Sequence, residues 1–403
     1  MRKSIQFKFL TFSLLTFLFA CNTDINTQAA EQNSNLVLTD SLSFKTGMTI
    51  RRRYAGLFLE TKTKAELFYC FNTTTTRKLK FFDINTELIE EIQLDSVLIN
   101  CKAIDGINII SLDTIVVLSQ YTNKLFFLNR KGNIIKQLNL DDIIQKNSDD
   151  YYEFSSSING PFVLNDSTFV LHATHVKSTS VDNSHLTHFE LLEKVCKNYW
   201  KKPNLVTLNH VFDKKPSFIF KYNIYPHIFR KTDSTAFLGE LFWYNFNKNN
   251  IISWSTHSNK ILLLNSRANV LSINTIESNK SKIGDPYFRI TKENHSRFND
   301  ILNDHEKTSS VISNVLYDSE RKIYYIKVLN EVTLKWFNEN NYRPWSLLVY
   351  DEEFNKLDEI PFEDKKYSGM MKISNRGLMI EVKNEFTDYK NQAVNFEIYN
   401  YEK

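Results

Sequence analysis

The sequence predicts an all-β fold, a β-propeller in which small four-stranded antiparallel sheets, or blades, are arranged in a ring. Two observations support this prediction. Residues 107–140 contain four short runs of β-branched and aromatic residues, each bounded by Asn, Asp or Gly. Parts of this unit recur to give five or six units along the chain, and units too small to bury their own faces must pack on one another.

The clearest unit defines the pattern that recurs. Its four runs are residues 107–112, 115–119, 124–128 and 134–140, and its turns lie at 113–114 and 129–133. Its last two strands recur around turns at 85–86, 265–269 and 351–355. Its first two recur around turns at 166–167, 318–319 and 375–377.

The last unit lacks a fourth strand, whereas residues 36–44 form an isolated strand pattern near the N-terminus. Pairing the two would close the ring and remove the sheet edges that an open structure exposes. We therefore expect an N-terminal strand to complete the last blade. An open β-sandwich and a seven-bladed ring are the alternatives.

The N-terminal segment predicts export. Arg2, Lys3 and Lys8 surround the start of an apolar run at residues 9–20, which is shorter than the ~20 residues that a membrane-spanning helix needs. The run ends Leu18-Phe19-Ala20-Cys21, which resembles the lipobox of bacterial lipoproteins, although Phe19 departs from the usual small residue. The resemblance implies that residues 1–20 are a cleaved signal peptide and that Cys21 carries the lipid.

The rest of the chain divides into a tether and one domain. Residues 21–35 are polar and predict a lipidated flexible tether, and residues 36–403 predict a single β-propeller domain. Two insertions, near 177–216 and 285–310, interrupt the strand pattern and are candidate functional loops. A dense acidic run directly after Cys21 would indicate export to the cell surface, but only Asp24 is present there. We therefore expect an outer-membrane anchor that faces the periplasm; surface exposure is the alternative.

The charge balance argues against nucleic acid as a partner. Three of the 50 basic residues lie in the first 20 residues, which leaves 47 against 46 acidic residues in the mature chain. A near-neutral body has no broad electrostatic footprint for a polyanion. We interpret the Arg51-Arg52-Arg53 run as a solvated strand edge or turn.

The histidines are the only candidate metal ligands, and we predict that they bind none. Residues three apart in a strand point to opposite faces, and His172 and His175 end a predicted strand. Loop histidines that are solvated or hydrogen-bonded explain the cluster without a metal or another cofactor. Five of the nine histidines fall within 39 residues: His172, His175, His185, His188 and His210.

The cysteines allow one disulfide. Cys70 and Cys101 lie in neighbouring predicted strands and could pair in an oxidising compartment, whereas Cys196 stands alone. Buried free cysteines, which behave as small apolar residues, are the alternative.

No catalytic motif of a metalloprotease, α/β-hydrolase, P-loop or dinucleotide-binding enzyme is present. Asp141-Asp142 and Asp149-Asp150 could act as paired carboxylates on a sugar, or could lie in hydrated turns. Aromatic residues in or beside predicted loops could stack on sugar rings or on a partner, or could be inter-blade core. They are Tyr199-Trp200, Trp243-Tyr244, Trp336-Phe337 and Trp345.

The lipobox, the tether and units of the type Lys124–Gly132 (KLFFLNRKG) together resemble a family of uncharacterised lipoproteins of the Bacteroidota type with a TolB-like six-bladed β-propeller. The resemblance implies six blades and transfers no functional residue. We therefore expect an envelope-anchored, non-enzymatic binding or scaffolding protein for an unknown protein or glycan ligand. A carbohydrate- or peptide-active hydrolase or lyase and a purely structural envelope subunit are the alternatives.

Overall fold

A computed structural model gives the structure of residues 35–402 apart from short interruptions. The undescribed positions are 49–54, 61, 73–76, 101–102, 121, 145–149, 156–161, 166–167, 178–186, 188, 191–204, 214–215, 223–235, 238–241, 248–249, 257, 267–268, 284–287, 290–292, 294, 364 and 384–391. The predicted signal peptide, Cys21 and most of the predicted tether precede residue 35 and lie outside the described part.

Five four-stranded antiparallel sheets in this part form propeller blades. Blade A contains β2 (Ala55–Leu59), β3 (Glu66–Asn72), β4 (Lys78–Asp83) and β5 (Leu88–Gln93). Blade B contains β6 (Ala103–Ser111), β7 (Thr114–Gln120), β8 (Lys124–Leu128) and β9 (Ile134–Asn139). Blade D contains β16 (Phe242–Asn247), β17 (Asn250–Ser255), β18 (Lys260–Leu264) and β19 (Val270–Thr275). Blade E contains β21 (Val311–Asp318), β22 (Ile323–Leu329), β23 (Trp345–Asp351) and β24 (Lys356–Phe362). Blade F contains β25 (Tyr367–Ser374), β26 (Gly377–Val382), β27 (Val394–Tyr401) and β1 (Leu36–Phe44).

Further elements lie between blades B and D and in the connections. Sheet C has five strands, β10 (Asp150–Ser155), β11 (Phe162–Asn165), β12 (Thr168–Lys177), β13 (Leu205–Asn209) and β14 (Ser217–Tyr222), and β15 (Ala236–Phe237) pairs with β20 (Phe288–Arg289). The helices are α1 (Asp95–Asn100), α2 (Leu140–Ile144), α3 (Phe298–Thr308, after a 3-10 turn at His295–Arg297) and α4 (Leu334–Asn340). None of the helices in the described ranges is long and apolar enough to cross a membrane.

The all-β propeller prediction is confirmed, but the prediction of six four-stranded blades is wrong. The described residues form five such blades, and sheet C has five strands. The reason lies in the ten-residue strand β12. One edge of β12 pairs with β10 through residues 172–177 and with β11 through residues 168–170, so two short strands share the edge that one strand occupies in a blade.

The predicted pairing of the N-terminal strand with the last unit is confirmed. β1 lies antiparallel to β27 from Leu36 opposite Tyr401 to Phe44 opposite Val394, with one irregularity after Leu38. β1 is therefore the outer strand of blade F, although it is the first strand in the chain. The two ends of the domain are held in one sheet by backbone hydrogen bonds.

The turns between the third and fourth strands of four blades share one construction. In blade B, the Asn129 side-chain oxygen accepts hydrogen bonds from the backbone N–H groups of Lys131 and Asn133, both at 3.0 Å. Asp351 accepts the equivalent bonds in blade E at 3.0 and 2.8 Å. Asp83 in blade A and Asn265 in blade D occupy the same position. An Asx side chain here replaces backbone partners that a tight turn leaves open, which explains why Asn and Asp mark the repeats.

Hydrophobic clusters fill the spaces between neighbouring sheets. In β7, Ile115 and Val117 pack toward blade A, and the alternate residues Val116 and Leu118 pack toward sheet C. Middle strands are thus buried on both faces, and their sequences are continuous apolar runs. Comparable clusters join blades D and E, E and F, and F and A.

The connections that carry helices leave one end of the sheets. Because neighbouring strands are antiparallel, the link from second to third strand and the link from one blade's outer strand to the next blade lie at the same end. In blade E, α3 precedes the first strand and α4 joins the second strand to the third. This end of blade E therefore carries both helices.

Candidate functional site

The helix α4 is short and is defined by caps at both ends. Thr333 is extended and its hydroxyl oxygen accepts a hydrogen bond from the Trp336 N–H at 3.1 Å. At the other end Asn341 adopts the left-handed conformation, with φ 53°, and its N–H donates to Phe337 O at 2.7 Å. The caps stop the helix after two turns, and the chain then turns directly into β23.

Arg343 joins α4 to α3. Its guanidinium donates to the carbonyl oxygens of Glu306 at 3.0 Å, Asn330 at 3.0 and 3.3 Å, and Ser309. The Val332 N–H also donates to Thr308 O at 2.9 Å, so the segment before α4 is bonded to the last residue of α3. One side chain thus fixes the C-terminal end of α3 against the loop that carries α4.

The acceptors of the Arg343 guanidinium named above are backbone carbonyl groups, not carboxylates. Burial lowers the pKa of Arg343 to about 10, so the guanidinium is still charged at neutral pH. The C-terminal end of a helix carries partial negative charge and unpaired carbonyl oxygens, which a buried cation can satisfy. The same charge, together with burial, lowers the pKa of His305 in the last turn of α3, the burial effect being the larger.

Three half-buried aromatic residues, Trp336 and Phe337 in α4 and Tyr342 two residues after its last residue, make up what we call the aromatic platform. The Trp336 and Tyr342 rings are 5.0 Å apart in an edge-to-face arrangement. The Tyr342 hydroxyl donates to Glu363 O at 2.9 Å, and the Lys365 ammonium lies 5.0 Å from the centre of the Tyr342 ring. Partly exposed aromatic rings with an adjacent cation can bind planar apolar faces or sugar rings.

A polar cluster lies at the junction of blades E and F, and its Lys366 directly follows Lys365, the cation beside the Tyr342 ring. Glu397 in β27 accepts hydrogen bonds from Lys366 Nζ at 2.6 Å, Tyr367 at 2.8 Å and Tyr399 at 2.6 Å. The two tyrosine hydroxyls are 2.9 Å apart. Phe362, at the end of β24, contacts the Tyr367 ring at 5.0 Å and connects this Glu397 network to blade E.

The electrostatics of the Glu397 network favour a fixed structure over proton transfer. Burial acts to raise the pKa of Glu397, but the three donors outweigh it and lower the pKa, so the carboxyl group is ionised at neutral pH. Burial and then the adjacent carboxylate raise the pKa of Tyr399. An ionised carboxylate with three donors is a poor general acid, and a tyrosine with a raised pKa is a poor nucleophile.

The structure separates the aromatic residues selected from the sequence. Trp336 and Phe337 lie on the platform, whereas Trp345 is core: it is buried, and its ring stacks on Phe362 with centres 4.0 Å apart. The backbone of Trp243-Tyr244 lies in β16. Tyr199-Trp200 lie outside the described residues.

The candidate histidines are only partly described. His172 and His175 both lie in β12, and burial lowers the pKa of His172 to about 4. His210 is exposed, with its Nδ1 3.2 Å from an Asp213 oxygen. His185 and His188 lie outside the described residues. Where the chain is described, no group of three or more His, Cys, Asp and Glu side chains could hold a metal ion.

The cysteines and the paired carboxylates show no convergence on one site within the described ranges. Cys70 is buried in blade A, and burial raises the pKa of its thiol. Cys101 and Cys196 are outside the described residues, so the disulfide stays a prediction. Asp141-Asp142 are exposed in the first turn of α2, where Asn123 donates to Asp141 at 2.8 Å. Asp150 lies in β10, and Asp149, like Arg51-Arg52-Arg53, is not described.

Sequence reasoning missed Arg343, Tyr342 and the Glu397 network. Arg343 bonds to backbone carbonyls, and because every residue type has one, the partners cannot be recognised from the sequence. A partial signal existed for the Glu397 network, since the alternation of a strand places Glu397 and Tyr399 on one face of β27. The partners Lys366 and Tyr367 come from 31 and 30 residues earlier, which no local pattern connects with that face.

The fold and this site can be compared with known proteins. No family model and no curated protein matches the sequence. The chain is similar in structure to a member of the duf4221 family from Bacteroides vulgatus, with a TM-score of 0.66, 17% identity, and coverage of 91% of this chain and 97% of that one. It is also similar to a protein from Bacteroides fragilis described as exported, with a TM-score of 0.53, 10% identity, and coverage of 93% and 98%. At these identities the likeness shows the fold, an all-β propeller of small antiparallel blades.

We expect Glu397→Gln to lower the free energy of unfolding at pH 7 by about 1–3 kcal/mol, because a neutral amide leaves the Lys366 charge without its partner. The folded pKa of Glu397 is below its ordinary value of 4.5. Its stabilising contribution is therefore present above pH 4.5 and is lost as the pH falls through the folded pKa. Urea denaturation of both proteins between pH 3 and pH 8 should show the difference shrinking on the acid side.

Glu339→Gln is the matched control. Glu339 is exposed on α4, with an oxygen 4.0 Å from Lys335 Nζ, and its neutralisation should change the unfolding free energy by less than about 0.5 kcal/mol. A Glu397→Gln effect that is equally large at pH 3 would contradict the charge-based explanation.

Proposed function

We propose that the chain is an envelope-anchored lipoprotein whose propeller binds a glycan or protein ligand at the aromatic platform. The observation that carries the proposal is that Trp336 and Phe337 on a capped helix and Tyr342 just after it are half-buried, and that Arg343 bonds this segment to the end of α3. A preformed surface loses little side-chain entropy when a ligand binds, and this favours affinity.

The Glu397 network supports binding over catalysis. Its carboxylate is already bonded to three donors, and the raised pKa values of Tyr367 and Tyr399 keep their hydroxyls protonated, so the network holds the blade junction together and is a poor proton donor or acceptor at neutral pH. A binding surface of aromatic rings needs rigid supporting elements around it. The hydrolase or lyase alternative predicts turnover as well as binding, which the experiment below distinguishes.

The anchor is proposed from the lipobox at Cys21. Each buried methylene of a lipid chain contributes about 0.8 kcal/mol, so a multiply acylated cysteine would hold the chain firmly at a membrane. The structurally similar protein from Bacteroides fragilis is described as exported, which supports an envelope location for this chain. We place the anchor in the outer membrane with the propeller facing the periplasm.

Replacing Trp336 and Tyr342 together by Ala should weaken ligand binding about tenfold or more, since each lost ring contact contributes about 0.5–1.5 kcal/mol. The probes are soluble xylan, laminarin and chitin oligosaccharides and a library of synthetic peptides. Binding to the purified Cys21→Ala chain would be measured by titration calorimetry, and product formation by chromatography.

Phe212→Ala is the control, because Phe212 is also an exposed aromatic residue but follows β13 in sheet C. It should leave the affinity unchanged. Equal binding by the Trp336/Tyr342 double variant would overturn the assignment of the site. Turnover of any probe that the double variant abolishes would replace the binding proposal with the enzyme alternative.

Cys21→Ala should move the protein from the membrane fraction to the soluble fraction of an expressing bacterium, since the thiol that accepts the lipid is gone. Fractionation by ultracentrifugation, with mass spectrometry of the N-terminal peptide, measures both location and acylation. Cys196→Ala, the control, should stay in the membrane fraction. If Cys21→Ala also stays there, the lipid-anchor proposal is wrong.

A further inference from the structure

Exposed apolar side chains occur in adjacent pairs on the outer strands of two neighbouring blades. Val37 and Leu38 in β1 of blade F are 39% and 54% exposed, and Leu88 and Ile89 in β5 of blade A are 49% and 48% exposed. Elsewhere in the described ranges, no two large exposed apolar residues follow one another in sequence. Single exposed apolar residues are common on soluble proteins, whereas grouped ones indicate contact with another surface.

A β-bulge accompanies each pair. Thr39, directly after Leu38, is the extra residue of the bulge in β1, and Ile89 is itself the extra residue of the bulge in β5. A bulge interrupts the alternation of a strand and redirects its side chains, so successive residues can stay outside the sheet. Bulges also oppose the addition of a further strand at an edge, so a strand of another protein is not the expected partner here.

One arginine connects the two strands that carry the pairs. Arg376, in the turn between β25 and β26, donates to Asp40 Oδ2 at 3.0 Å and to Asn85 Oδ1 at 3.1 Å. Asp40 lies two residues after Leu38, and Asn85 lies three residues before Leu88. β1 and the turn before β5 are therefore neighbours on one side of the ring. We call the exposed apolar residues of this side the apolar corner: Val37, Leu38, Leu88 and Ile89.

Two carboxylates beside the apolar corner are held in ion pairs. Asp40 pairs with Arg376 at 3.0 Å, and Glu90 pairs with Arg130 at 2.7 Å. Opposite charges this close largely cancel at longer range. These carboxylates therefore contribute little repulsion toward a surface of lipid phosphates.

The apolar corner lies where the propeller domain follows the predicted tether. Val37 is the second residue of β1, and the 14 residues 22–35 separate Cys21 from this strand. A flexible chain of this length has a root-mean-square span of about 20 Å. A lipid on Cys21 would therefore keep the apolar corner close to the surface of the bilayer.

We propose that the apolar corner rests on the bilayer that holds the lipid anchor, with its aliphatic side chains among the lipid headgroups. This contact rests on the anchor proposed at Cys21 and adds an orientation of the propeller to it. Apolar side chains gain free energy when they leave water, and the tether gives the surface a high effective concentration. Sheet C and blade D, which lie furthest from blades F and A along the ring, then face away from the membrane.

Hydroxyl-radical footprinting with mass spectrometry measures the contact without altering the surface. A hexahistidine segment in place of residues 1–21 attaches the chain to vesicles of phosphatidylethanolamine, phosphatidylglycerol and a nickel-chelating lipid. The attachment point is then that of Cys21 whether or not the cysteine is acylated, so failure of the anchor proposal does not affect the result. The same vesicles without the nickel-chelating lipid give the unattached reference.

Attachment should slow the oxidation of Leu38, Leu88 and Ile89 by about threefold or more, because lipid contact excludes water from these side chains. Leu271 and Ile273 of blade D are the controls in the same sample, since they are 54% and 43% exposed, and their oxidation should not change. Equal oxidation of Leu38 with and without attachment overturns the proposal. Protection of Leu271 equal to that of Leu38 also overturns it, because the propeller would then have no preferred orientation.

A double variant tests whether the two pairs act together. Leu88→Glu with Ile89→Glu should remove the protection of Leu38, because carboxylates do not enter the lipid surface. Leu271→Glu with Ile273→Glu, the matched control, should leave that protection unchanged, and circular dichroism would verify folding of both variants. Protection of Leu38 that survives in the Leu88/Ile89 variant contradicts a shared contact surface.

Discussion

The pairing of β1 with β27 is the constraint on which the rest of the ring depends. It joins the first and last strands of the described chain in blade F, and β1 ends in Phe44, which is fully buried. The Phe44 ring stacks on Phe68 of blade A at 4.3 Å and contacts Phe396 of blade F at 6.1 Å. Removing such a side chain costs about 3–5 kcal/mol in a well-packed core. Phe44 thus links the pairing of β1 with β27 to the packing between blades F and A.

The junction of blades E and F involves the same pair of strands. Blade E meets blade F through Trp345, Phe362 and Tyr367, and the Glu397 network lies in β27, the strand to which β1 pairs. The Tyr342 hydroxyl bonds to Glu363 in the link from blade E to blade F, and the outer strand of blade F comes from the other end of the described chain.

Much of this fold could be predicted from the sequence because its signals are local. Asn129 and Asp351 mark turns through bonds to residues two and four positions later, and residues 36–44 alternate as a strand that needs a partner. The five-stranded sheet C was missed because the number of strands that can pair along one edge depends on the length of the neighbouring strand. β12 is ten residues long and pairs with two short strands on one edge. Trp336 and Phe337 were selected from the sequence, but the other site residues were missed because their contacts are tertiary. Arg343 bonds to backbone carbonyls, and Glu397 bonds to Lys366 and Tyr367 from a distant part of the chain.

The most direct test of closure is hydrogen–deuterium exchange, measured by mass spectrometry on the wild-type chain and on Phe44→Ala. Because Phe44 packs against both blades, exchange should become faster in β27 and in β3 and β4, while β17 and β18 of blade D keep their wild-type protection. Faster exchange confined to β1 would contradict the account, since it would show that blades A and F do not share this contact. Equal acceleration in every sheet would also contradict it, since the effect of Phe44 would then not be specific to these two blades.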